Sequence, residues 1–235
     1  MNEMSIFRKI LVFCFLTLPL AVYAADRAPV KWQEIWQAMG VNPVIAESVV
    51  WPEYMMYSYW QDWLETSAVS STYVTSGSGF DFSIGVFQMK PSFVEKLEHA
   101  WMQSGLAQVP ELQFDISDNR SAREARLSRM QCADWQAVYL ALFLRLLYIS
   151  YGSFDSTGAK IQEGIDTLPV SEQVRLAAAA YNSGCLWPSA GLGDLESLRS
   201  KASWTGFPRS LLPSPSARKY CYASLAREHY LEVSE

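Results

Sequence analysis

Residues 135–151 read Trp-Gln-Ala-Val-Tyr-Leu-Ala-Leu-Phe-Leu-Arg-Leu-Leu-Tyr-Ile-Ser-Tyr, with Arg145 as the one charge. A run of this length that is apolar on every side predicts a helix buried all round at the centre of a domain. Working back towards the N-terminus, the neighbouring segments also read as helices. Ser121-Ala122-Arg123-Glu124 and Ser92-Phe93-Val94-Glu95 have the form of capping boxes, and Gly105 is placed to end the second helix. Asn42 is a good cap for a helix that starts at Pro43 and runs through Val44–Trp51 to Pro52, where the missing backbone donor predicts a kink or an end. An aromatic helix is expected over Tyr57–Leu64.

Towards the C-terminus, Ser171–Tyr181 begins with a cap residue and Glu172 at the favourable end of the dipole. It then carries four consecutive alanines, Ala177–Ala180, which allow another backbone to come close. Asn182 or Gly184 is suited to the left-handed conformation that closes such a helix. Residues 185–215 hold three glycines and four prolines and predict loop around one short helix, Asp194–Ser203. A last helix is expected from Ser214-Pro215 to about Leu231. Residues 69–83, rich in serine, threonine and glycine, read instead as irregular or short β structure. The expected fold class is therefore all-α, α+β at most with a short β or loop segment near residues 69–90, in a single domain over residues 25–235.

Composition narrows the chemistry. Of 235 residues, 50% are hydrophobic and 18% charged, which excludes bulk disorder. A net charge of −5 and a pI near 5.2 provide no global attraction for nucleic acid. The two histidines, His99 and His229, cannot make a three-histidine zinc site, and no phosphate-binding loop or dinucleotide fingerprint occurs. No metal and no cofactor is expected. The reactive groups must be carboxylates, hydroxyls or amides.

Residues 1–24 read as an export signal. Arg8 and Lys9 form its positive start, Ile10–Val22 its apolar run, and Val22-Tyr23-Ala24 the cleavage site, so the mature chain is expected to begin at Ala25. The apolar run falls short of the roughly 20 residues of a membrane span. A periplasmic or extracellular protein without a stable membrane anchor is the expectation. In that oxidising setting Cys132, Cys185 and Cys221 predict one disulfide and one leftover thiol. Cys185–Cys221 is favoured, because Cys132 opens a very apolar helix and could be buried as a thiol, although the connectivity stays open.

Three segments carry candidate chemistry. In Val49-Val50-Trp51-Pro52-Glu53 a carboxylate ends an apolar helix, where poor solvation raises its pKa as a general acid near neutrality requires. In Asp81-Phe82-Ser83-Ile84-Gly85-Val86-Phe87-Gln88-Met89-Lys90-Pro91 the alternation of Phe82, Ile84 and Val86 predicts a strand or loop tucked under a helix. Gly85 there permits close backbone approach, and the Gln88 amide needs a partner. In Ala180-Tyr181-Asn182-Ser183-Gly184 a hydroxyl and an amide stand at a helix end, well placed to bond a sugar acetamido group or a carboxylate.

Taken in order, these segments resemble the motifs of the soluble lytic transglycosylase family: a proline-led apolar helix ending in a catalytic Glu, then G-L-M-Q near a proline, then A-Y-N-x-G. Asn42-Pro43 leads to Glu53, Gly85-Val86-Phe87-Gln88 takes the second place, and Ala180–Gly184 matches the third; the likeness spans roughly residues 41–232. Tyr54 follows Glu53 where the family usually has Ser. The interval from Glu53 to Gly85 is 32 residues, longer than usual, so Glu65, 20 residues before Gly85, competes for the role of acid.

The resemblance implies a lysozyme-like fold and cleavage of the β-1,4 bond between N-acetylmuramic acid and N-acetylglucosamine in peptidoglycan. It also implies Glu53 as the acid and then the base that closes a 1,6-anhydro ring, with Ser83, Gly85, Gln88, Tyr181 and Asn182 contacting the glycan. Glu65 and Asp81 would be auxiliary carboxylates. Two rivals remain: a muramidase delivering water to the same bond, and a peptidoglycan-binding relative without turnover.

Overall fold

The computed structural model describes residues 27–56, 72–75, 81–106, 110–153, 164–184, 194–204 and 221–234. Its helices are α1 (Val30–Ala38), α2 (Pro43–Met56), α3 (Pro91–Gln103), α4 (Arg120–Met130), α5 (Ala133–Tyr151), α6 (Val170–Asn182), α7 (Leu195–Trp204) and α8 (Tyr222–Ser234), with 3₁₀ turns at Pro110–Leu112 and Ile165–Thr167. Among the described residues there is no strand, only isolated bridging such as that of Ile84 with Met89. The all-α expectation holds. The export segment, the aromatic helix over Tyr57–Leu64 and Cys185 lie outside the described residues.

The core is built on α5. Leu140–Leu144 and Leu147 are fully buried, with α1, α3 and α4 packed around the helix. Two tryptophans of α1 pin the start of α5: Trp36 donates through Nε1 to the Ala137 carbonyl at 3.0 Å, and Trp32 to Asp134 at 3.2 Å. A second group forms where α6 and α8 pack on α2, and α7 lies against α6. All four alanines of α6 are buried, and the helix surface they leave smooth lets these neighbours approach.

Several helix ends follow the local chemistry. The Asn42 side chain accepts from the Val44 N–H at 2.9 Å, Asp194 accepts from Glu196 and Ser197 ahead of α7, and Gly105 and Gly184 take positive φ just beyond α3 and α6.

Other ends depart from it. α2 does not stop at Pro52 but continues to Met56. The lost backbone bond is offset by packing of Val49, Val50 and Tyr54 and by Tyr222, whose hydroxyl donates to the Val49 carbonyl at 3.0 Å. Neither capping box forms. α3 starts at Pro91, and its first turn is held by Asp81, which accepts from the Ser92 N–H at 3.0 Å and hydroxyl at 2.6 Å. α4 starts at Arg120 under Asn119, which accepts from Ala122.

α6 begins at Val170 without a side-chain cap, and Ser171 lies inside it. Residues 72–75, expected as irregular or β, form a helical turn, because Tyr73 is drawn inward to the buried Arg126 and Arg123 binds the Val74 carbonyl. α8 starts at Tyr222, with the Cys221 carbonyl accepting from Ser224 and Leu225, while the expected start at Ser214-Pro215 lies outside the described residues.

The sequence also concealed a buried charge cluster. Glu98 on α3 is fully buried and accepts from Arg126 Nε at 2.7 Å, Arg129 Nη2 at 2.8 Å and the Tyr139 hydroxyl at 2.5 Å. It joins α3, α4 and α5 with one carboxylate whose oxygens are both engaged. Such a cluster costs desolvation and then forbids any packing that separates its members.

Candidate active site

Glu53 lies on α2 one residue past Pro52. Part of its surface stays open, while the atoms packed around it strip the carboxyl of solvation and push its pKa up to about 7. Among the described residues it has no hydrogen-bond or ion-pair partner to hold it charged. Glu47, two turns earlier on the same helix, shows the contrast. Burial pushes its carboxyl up as well, but the His229 imidazole 3.5 Å away and the bonds from Arg27 and the Ala28 backbone outweigh this and leave it below its ordinary value.

Two buried phenols lie within electrostatic reach of Glu53. Tyr181 of α6 and Tyr222 of α8 are pushed well above the ordinary tyrosine range, first by burial and then by the nearby Glu53 charge. Tyr222 was not anticipated from the sequence. Its neighbours Cys221 and Ala223 give no local sign of a role, and its bond to the Val49 carbonyl spans 173 positions.

The segment around Gly85 is a tight turn. Ile84 and Met89 exchange backbone bonds of 2.8 and 3.1 Å across it, and Gly85 (φ 74°) and Gln88 (φ 52°) both adopt left-handed backbone. For a glutamine this is a strained conformation, of the kind found where a loop must aim a side chain. Gln88 donates from its amide to the Gly85 carbonyl at 2.9 Å, which supplies the partner the sequence demanded.

The simple alternation of Phe82, Ile84 and Val86 does not hold. Ile84, Phe87 and Met89 point inward, Val86 is half-buried and Phe82 is exposed, because the four-residue turn changes the period. Ser83 precedes the turn and is partly exposed.

Tyr181 joins the three segments. Its hydroxyl donates to the Phe87 carbonyl at 2.6 Å, its ring packs edge-on against Phe93 and Phe143, and its environment feels Glu53. Asn182 ends α6 beside it, partly exposed. Thus Glu53, the Gly85–Gln88 turn and the Tyr181–Asn182 helix end, far apart in sequence, share one region. Asp81 is engaged at the start of α3, and Glu65 lies outside the described residues.

Cys132, which its apolar helix would have allowed to be buried, is exposed at the start of α5. The Cys185–Cys221 pairing falls outside the described residues on the Cys185 side. Among the described residues no three His, Cys, Asp or Glu side chains gather as metal ligands. Compared with protein-family models, curated proteins and solved structures, the chain matches none.

Proposed function

We propose that this protein is a peptidoglycan lytic transglycosylase with a lysozyme-like helical domain, and that Glu53 is its acid and base. The observation that carries the reading is the state of Glu53: a carboxyl raised to about 7 by burial, without a bonded partner among the described residues, within electrostatic reach of Tyr181, which in turn holds the Gly85–Gln88 turn at Phe87. Near neutrality such a group divides between its protonated and ionised forms, which suits it to both halves of the reaction.

In the first half, protonated Glu53 donates to the glycosidic oxygen while the substrate's own acetamido group stabilises the developing positive charge. In the second, the ionised carboxylate takes the proton of the muramic C6 hydroxyl, and that oxygen closes the 1,6-anhydro ring. One carboxylate suffices because the substrate supplies the second group. Gln88, Ser83 and Asn182 are polar groups at the edge of the same region and are assigned to the glycan.

The test is digestion of purified peptidoglycan followed by weighing the released muropeptides. Products lighter by one water support the proposal. Hydrated ends would make the protein a muramidase, and absence of release would leave only a binding role.

A further inference from the structure

Gln136 belongs to none of the three segments that carry candidate chemistry. It sits on the first turn of α5 and is 1% exposed. Its side-chain amide reaches the turn that carries Gln88. Oε1 accepts from the Phe87 N–H at 2.9 Å, and Nε2 donates to the Ile84 carbonyl at 3.1 Å and to the Met130 carbonyl at 2.5 Å. One rigid, planar group therefore spans both limbs of the Ile84–Met89 turn, as a neighbouring strand's peptide would, and ties them to the end of α4. A buried amide with both ends satisfied in this way has a single orientation.

Gly85 records the same contact from the other side. A Cβ there would lie 1.6 Å from Gln136 Nε2, so the turn has given up a side chain to let this amide in. With Tyr181 holding the Phe87 carbonyl, the peptide groups at Phe87 are fixed by Gln136 through the N–H and by α6 through the oxygen.

Resting on the transglycosylase reading, we infer that Gln136 is a positioning residue: it sets the Gly85–Gln88 turn against the glycan and acts on the substrate only through that turn. Core packing alone would be met by any apolar side chain of similar volume. The three directed bonds, and the strained backbone they hold at Gln88, are what such a side chain would lack. Displacing a substrate-holding group by about 1 Å costs on the order of 10²-fold in rate.

The experiment compares wild type, Gln136→Met and Gln136→Glu well below their melting temperatures on soluble glycan oligomers, with sedimentation on intact peptidoglycan and amide exchange at Phe87 read in parallel. Gln136→Met keeps the volume and loses all three bonds. Its kcat/KM is expected to fall by about 10- to 10²-fold, mostly through KM, with the alkaline limb of the pH profile unmoved and exchange at Phe87 accelerated. Gln136→Glu retains the acceptor for Phe87 and should recover part of the loss.

Wild-type KM in both variants with only a lowered melting temperature would make Gln136 a core residue and overturn the inference. So would failure of both variants to fold. If wild type itself neither cleaves nor sediments with peptidoglycan, the transglycosylase reading falls and this inference with it. Wild-type turnover with indifferent variants would remove this inference alone.

Discussion

Glu53→Gln tests both the environment of the acid and its role. Burial raises the carboxyl from 4.5 to about 7, which sets about 3 kcal/mol against the ionised form in the folded protein. Below about pH 4.5 folded and unfolded chains both hold the proton, and the penalty is absent. As pH rises towards about 7 the unfolded chain loses its proton first, the folded state binds more protons, and wild-type stability drains away. Glutamine has the same shape and no proton to lose. The stability of Glu53→Gln relative to wild type should therefore grow from near zero at about pH 4 to about 3 kcal/mol in the variant's favour at about pH 8.

For a chain of this length that is a rise in Tm of roughly 6–12 °C. Thermal unfolding of both proteins across that pH range reads the difference directly, since the other titrating groups are common to both. A difference independent of pH, or a variant less stable at the alkaline end, would refute the buried-acid argument. Activity should move in the opposite direction. Under the proposed transglycosylase function one group serves both half-reactions, so the stabilised variant should lose bond cleavage by about 10²–10⁴-fold or more. In wild type the alkaline limb should fall near pH 7.

Three further outcomes follow from the packing. Glu98→Ala strands Arg126 and Arg129 without their buried carboxylate and should cost about 3–5 kcal/mol in a denaturant titration. Gly85→Ala must place a Cβ against Gln136 at a φ of 74°, so a loss of at least about 1–3 kcal/mol is expected. The clash part of that loss should disappear in a Gln136→Ala background, which a double-mutant cycle measures. Glu47→Gln removes a carboxyl held below its ordinary range, so its stabilisation is present above about pH 4.5 and is lost as pH falls through the lowered value. The variant should be less stable than wild type at neutral pH and approach it in acid, as unfolding curves at the two conditions would show.

The parts of this protein legible in its sequence are those set within a few residues. The apolar run over residues 135–151 can bury its surface only as a central helix, and α5 is that helix. Asn42 reaches the Val44 N–H two residues on, and Gly184 takes the backbone angle that closes α6, because both effects are local stereochemistry. Glu53 at the end of an apolar helix carried its raised pKa in its neighbours, and Gly85 announced a close approach without saying to what.

What required the tertiary structure is partnership at a distance. Two serines that looked like caps were displaced: Asp81, 11 positions before Ser92, took over the start of α3, and Asn119 moved the start of α4 upstream. Nothing near Glu98 indicated Arg126, 28 positions away, nor did Gln136 point to Phe87 at a distance of 49. Local propensities are worth about 1 kcal/mol or less per residue. A buried charge or amide left without its partner costs several times that. Where the two conflict, the long-range pairing decides, and Gln136, Tyr181 and Tyr222 acquire their places around the Glu53 region only when the chain has closed on itself.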